Sequence, residues 1–185
     1  MRGAGRQRPC NGQKTQGLKM ILLSRATKYW IKDCDDWRIA PAGLPWIKEG
    51  HRIKVGENVY IGDLVTIGDG VDIGDGVDIG DQVDIRDGVH IGDGVHISSR
   101  VSISSLANID CKASVGDSTK IGRWASVCAG AIVGSDVNIG NGATIGEGAI
   151  IGSSAIVKNM AIVAKGVTVD KKAVINTPYK NQASR

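Results

Sequence analysis

The sequence predicts an all-β protein made by stacking one short unit many times, and three observations carry that expectation. Twenty consecutive six-residue units run without an insertion from Val55 to Val174. Each opens with Ile or Val, as at Val55, Ile61, Ile67 and Ile73, most continue with Gly, and the fifth position is Val, Ala or Thr. The chain is 42% hydrophobic yet contains no Phe, which fits an interior of aliphatic side chains too narrow for an aromatic ring. A period this strict excludes an ordinary globular fold, because a six-residue unit has only two inward side chains and buries them only by stacking on its neighbours.

One unit, Ile73-Gly74-Asp75-Gly76-Val77-Asp78, shows the chemistry. Val77 and Ile79 alternate with Asp78 in the period of two of a half-buried strand. Gly74-Asp75-Gly76 supplies the small side chains and the positive-φ residue that a tight corner needs. Each unit is therefore a short strand and a bend. Periodicity alone leaves open how many strands complete one turn.

The pattern of an aliphatic residue, Gly, two variable residues, a small residue and one more variable position resembles the hexapeptide-repeat family. The resemblance covers about two-thirds of the chain, residues 55–174. It implies a triangular left-handed parallel β-helix with three units per coil. Residues eighteen apart then stack about 4.8 Å from one another, and twenty units give about 6–7 coils in a prism on the order of 32 Å long. Trp124 falls at a corner and is expected on the outside.

The flanking segments follow in order. Residues 1–19 hold five basic and no acidic residues and no hydrophobic stretch of the signal-peptide kind, and read as a disordered extension. Met20 is an alternative start. Residues 20–54 contain Trp30, Trp37 and Trp46 with Pro41 and Pro45. An open end of a stacked array exposes apolar side chains and unpaired strand edges, so this segment is expected to form a short N-terminal cap; ligand stacking on the tryptophans is the alternative. Residues 175–185 form a tail in which Pro178 cannot continue a ladder. Cys10, Cys34, Cys111 and Cys128 lack ligand-like spacing, which favours a reduced, cytoplasmic protein over a disulfide scaffold or zinc ribbon. No stretch is apolar enough to cross a membrane, and no membrane partner is expected.

Charge is uneven along the array. Residues 55–110 carry eleven acids and two bases, residues 111–185 nine bases and four acids, so the overall +4 conceals a dipolar prism. Stacked by eighteen, Asp63 lies near Asp81, Asp69 near Asp87 and Asp75 near Asp93. Such columns could draw a weakly held Ca²⁺, whereas Asp is also simply a good corner residue, the reading we favour. The basic N-terminal tail lacks an accompanying aromatic platform, so nucleic-acid contact is not expected.

The same stacking brings out two histidines. The outward position before each aliphatic residue reads Asp72, His90, Asn108, Ser126 on one face and Asp78, His96, Ser114, Ile132 on another. Each His has an Asp on the adjacent coil, where a carboxylate can hold one imidazole nitrogen while the other faces solvent or substrate, as in an oriented general base. The plain alternative is that both are polar residues at outward strand positions.

The run Val89-His90-Ile91-Gly92-Asp93-Gly94-Val95-His96-Ile97 is similar to the part of hexapeptide-repeat acyltransferases that presents a catalytic His. Ile145-Gly146-Glu147-Gly148-Ala149 and Ala161-Ile162-Val163-Ala164-Lys165-Gly166-Val167 resemble their last coils, and Asn176-Thr177-Pro178-Tyr179-Lys180 is a degraded echo of their Gly-Asn-Pro-Ala-Lys ending. The resemblance implies a homotrimer with sites between neighbouring prisms, and transfer of an acyl group from acetyl-CoA or another acyl-CoA to a hydroxyl or amine of a small, sugar-like acceptor. His96 is the expected base with Asp78 orienting it, His90 with Asp72 the alternative, and Gly148, Ala164, Lys165, Gly166 and Lys180 the expected cofactor-binding residues. No metal is expected. Two other readings remain open. A non-catalytic structural or binding module would explain the loop-free repeat. Resemblance to the gamma carbonic anhydrases, which hold zinc by three His, would require His51 or an Asp beside His90 and His96, and the spacing does not match. Ice binding is not supported, since only Thr66, Thr144 and Thr168 occupy outward strand positions.

Overall fold

The structure, a computed structural model of the chain, describes residues 52–176 and two upstream strands, β1 (Lys28–Ile31) and β2 (Asp36–Ile39). Strand β3 (Arg52–Val55) opens a series of two-residue strands that recur every six residues from β4 (Tyr60–Ile61) to β23 (Val174–Ile175). Among the described residues there is no helix, hence none long and apolar enough to cross a membrane.

Each short strand pairs in parallel with the strand three units on. Asp72 lies opposite His90, Asp78 opposite His96 and Thr66 opposite Asp84. Eighteen residues therefore make one coil, three sheets line three faces, and the chain winds as a left-handed parallel β-helix of about seven turns. Ordinary crossovers between parallel strands are right-handed because twisted strands and packed helices impose it. Two-residue strands joined by tight corners carry too little twist to impose that preference.

The outward residues sort by face. The first face carries Asp72, His90, Asn108 and Ser126, the second Asp78, His96, Ser114 and Ile132, and the third Asp84, Ser102, Lys120 and Asn138. Inside, the aliphatic ladders are dry: Val89, Ile91, Val95 and Ile97 are fully buried, and from Ala107 onward the fifth position is mostly Ala. Thr119 is the one buried polar residue among those described. Its hydroxyl donates to the carbonyl of Gly134 at 3.0 Å, which offsets the cost of burying it.

The two glycines of a unit do different work. Gly76 has φ +65°, the left-handed conformation that turns the corner. Gly74 is needed for closeness instead, because a Cβ there would come within 2.7 Å of the Asp93 nitrogen on the next coil. Several corners reach the left-handed conformation without glycine, Trp124 among them at φ 56°. Trp124 is exposed, as its corner position implies, with the Arg123 guanidinium 4.6 Å from its ring centre.

Strand β1 extends the first face beyond the coils, running parallel to β3 with Tyr29 opposite Ile53, and β2 pairs antiparallel to β1 with Trp30 opposite Trp37. That sheet accordingly has nine strands where the other two have seven. The extension expected over residues 1–19, the side chains of the tryptophan-rich segment, His51 and the tail from Thr177 lie outside the described residues. At the other end, Ile132 and Ile150 on the second face, Ile156 on the third and Ile162 on the first are all 41–49% exposed, where earlier coils carry polar residues.

Candidate functional site

His90 and His96 belong to one coil and flank a single corner, Gly92-Asp93-Gly94, one on the first face and one on the second. The strand register that buries Ile91 and Ile97 forces both imidazoles outward. It also places an aspartate beside each from the preceding coil. His96 Nδ1 is 3.2 Å from Asp78 Oδ2, a hydrogen bond, whereas His90 Nδ1 stands 3.6 Å from Asp72 Oδ2, an ion-pair distance only. Both pairs are about half exposed, so their strength is that of surface contacts, and their value lies in orientation.

The far nitrogens face different surroundings. His96 Nε2 is 3.5 Å from the hydroxyl of Ser98, on the corner between the second and third faces. Near His90 lies Asp110, on the next coil of the corner between the first and second faces. Cys111 donates both its backbone N–H (2.8 Å) and its thiol (3.1 Å) to Asp110 Oδ1. The thiol and backbone bonds hold the Asp110 carboxyl below the usual carboxylate range, with the charge of His90 a minor contributor. The same bond, reinforced by the Asp110 charge, pushes the Cys111 thiol up and makes it a poor nucleophile. Cys111 and Cys128 are free thiols.

Ser98 was not among the residues that sequence reasoning singled out. One signal was available: Ser98 stands in a column where the neighbouring coils have Gly80 and Gly116. A Cβ at Gly80 would approach the backbone carbon of Ser98 to 2.9 Å, and one at Gly116 that of Gly134 to 2.7 Å. Ser98 therefore carries a side chain where the coils on either side of it have none.

Of the expected cofactor-binding residues, Gly148 and Gly166 turn successive coils of the corner between the first and second faces, with φ 62° and 67°. Ala164 is half-buried there, Lys165 donates to Glu147 at 2.7 Å, and Lys180 lies outside the described residues. These residues lie three and four coils beyond Gly94, some 14 and 19 Å along the prism axis at ~4.8 Å per coil. They share the corner that His90 and His96 flank, but His96 Nε2 is directed to the opposite corner of its face. The exposed Lys165–Glu147 pair is worth at most about 1 kcal/mol, little enough for an anionic ligand to displace.

The aspartate columns find their partners within the fold. Asp81 Oδ1 accepts the backbone N–H of Asp63 at 2.7 Å, and Asp87 and Asp93 accept those of Asp69 and Asp75 at 2.9 Å. Each carboxylate thus caps the preceding coil, which answers why like charges recur at corners. No group of three or more His, Cys, Asp or Glu is placed to hold a metal ion among the described residues.

The fold and its repeat define a protein of the hexapeptide-repeat, left-handed β-helix class. Within that class, residues 55–147, half of the chain, match the family described as the GMPPB C-terminal domain, and the chain belongs to that family. No curated protein matches it in sequence. Among solved structures, the UDP-N-acetylglucosamine acyltransferase of Francisella novicida superposes with a TM-score of 0.58 at 21% identity, covering 80% of this chain and 60% of its own. A perosamine N-acetyltransferase mutant from Caulobacter crescentus, in complex with CoA and GDP-perosamine, gives 0.46 at 20% identity over 64% and 47% of the two chains. A hexapeptide transferase family protein from Anaplasma phagocytophilum gives 0.43 at 17% identity over 81% and 78%. At these identities the likeness is one of fold. The chain spans about 60% of the length of the Francisella enzyme.

Proposed function

We propose that this protein is an acyl-CoA-dependent acyltransferase that acts on a hydroxyl or amine of a small, sugar-like acceptor. The observation that carries the reading is the outward imidazole of His96, held at Nδ1 by Asp78. An Nδ1–H donated to the carboxylate leaves the Nε2 lone pair free to take a proton, and Asp78 stabilises the imidazolium that results. The acceptor oxygen or nitrogen attacks the thioester carbonyl as its proton passes to Nε2. The tetrahedral intermediate then collapses with loss of the CoA thiol, which regains that proton. The Francisella fold neighbour, a UDP-N-acetylglucosamine acyltransferase, supports the reaction class.

The oxyanion calls for a backbone donor. Asp93 N–H, on the corner that His96 of a neighbouring protomer would meet, is the candidate, because in the same corner column Glu57 N–H is capped by Asp75 and Asp75 N–H by Asp93, but one coil on from Asp93 stands Cys111, which turns to Asp110 instead.

Because His96 Nε2 is directed away from the corner of Gly148 and Lys165, the complete site is a cleft between prisms, in which His96 of one protomer meets that corner of the next. A homotrimer also covers the exposed Ile132 and Ile150. Sedimentation at micromolar concentration should show a trimer, and a stable monomer would remove the between-subunit site. Titration calorimetry with acetyl-CoA should show binding that Lys165→Ala weakens. Absence of binding, with no thioester consumed across a broad acceptor panel, would leave the non-catalytic β-helix module as the function.

A further inference from the structure

We infer that Asp78, His96 and Ser98 form a nucleophilic relay in which Ser98 itself accepts an acyl group from activated esters and thioesters and passes it to water. This shares His96 with the proposed transferase but requires neither CoA nor an acceptor, so the two readings fail separately.

Three observations converge on it. Asp78 Oδ2 lies 3.2 Å from His96 Nδ1, which sets the tautomer with its lone pair at Nε2. That lone pair faces the Ser98 hydroxyl at 3.5 Å, the long contact typical of an unliganded nucleophile–base pair. Ser98 then stands between Gly80 and Gly116 in its column, so neither adjacent coil places a side chain there. The order acid, base, hydroxyl is the arrangement that activates serine on unrelated folds, where it is recognised by geometry and not by chain position. No such relay forms at His90, whose neighbours are the Asp72 and Asp110 carboxylates.

The chemistry balances without a further reactant. Ser98 Oγ bonds to the acyl carbon while its proton moves to His96 Nε2. The carbon–sulfur or carbon–oxygen bond to the leaving group breaks, and the thiol or alcohol departs with that proton. Water, deprotonated by the same nitrogen, then attacks the Ser98 ester, releases the carboxylic acid and restores the hydroxyl.

The corner also sets the rate. The backbone N–H of Ser98 donates to Val115 O, that of Ser99 to Asp117 Oδ1 and that of Arg100 to Asp81 O, so none is free to hold the oxyanion. Lacking one such donor costs about 10²- to 10³-fold in turnover. Acylation should therefore be seen as a single slow event with a reactive donor, not as rapid cycling.

The test uses the full chain and p-nitrophenyl acetate, with intact-mass and peptide mass spectrometry. The expected result is one acetyl group on Ser98, absent in Ser98→Ala, formed about 10²-fold or more slowly in His96→Ala, and retained in Ser126→Ala. Wild-type protein with Ser98 unmodified, or Ser98 acetylated equally fast in His96→Ala, would overturn the relay. Thermal melts of the variants matching the wild type would tie any loss to chemistry and not to folding.

Discussion

His96→Ala should lower the rate of acyl transfer by about 10²- to 10⁴-fold, the contribution of a positioned general base, and leave thermal stability nearly unchanged. The two halves of that expectation come from the same fact. His96 lies outward at a strand position whose neighbour Ile97 does the packing, so removing the imidazole opens no cavity. Asp78→Asn should produce a smaller loss of the same kind, since an amide can present its N–H to Nδ1 and favour the wrong tautomer. His90→Ala distinguishes the two dyads: its pairing with Asp72 is longer at 3.6 Å, and it should have the lesser effect. A large loss in His90→Ala with His96→Ala unaffected would transfer the role to His90. Turnover measured with saturating acetyl-CoA, alongside a melting curve for each variant, decides among these outcomes.

The second large effect is expected at the other end of the molecule. Deleting residues 1–54 should cause aggregation, whereas deleting residues 1–19 should leave the protein folded and soluble. The longer deletion removes β1, β2 and nearly all of β3, and strips the first face back to an unpaired edge. An open parallel edge above an aliphatic interior is a template for association with another chain. The cap reading of the tryptophan-rich segment stands or falls on this contrast. Size-exclusion chromatography of the two truncations side by side makes the comparison, and equal solubility would shift the tryptophans toward ligand binding.

Much of this architecture was written plainly in the residues. Val77, Asp78 and Ile79 announce their orientations by alternation, and stacking by eighteen places His96 beside Asp78, as the strand register has it. The outward Ile132, Ile150, Ile156 and Ile162 and the corner position of Trp124 follow from the same count. Side-chain direction within a face did not. Nothing in the spacing tells that His96 leans toward Ser98 while His90 lies near Asp110, because that depends on which rotamer brings each Nδ1 to its carboxylate. The purpose of the corner aspartates was hidden for a related reason. Their periodicity is visible, but the backbone N–H that each accepts belongs to the previous coil and leaves no mark in composition. Ser98 was overlooked because it sits in a corner, where Ser reads as an ordinary turn residue until the glycines stacked on either side of it are noticed.

The insertion-free winding makes sequence length equivalent to angle. Six residues advance the chain by one third of a revolution, and eighteen return it to the same face one storey higher. Gain or loss of a whole coil would lengthen or shorten the prism and leave every face aligned. A change of a single hexapeptide between His96 and Gly148 would instead swing the entire distal half through about 120° relative to the histidines, moving Gly148 and Lys165 to a different edge while barely altering composition or core. A protein built this way can vary its reach freely in steps of eighteen, but the bearing of one functional element upon another is locked to the count of residues between them.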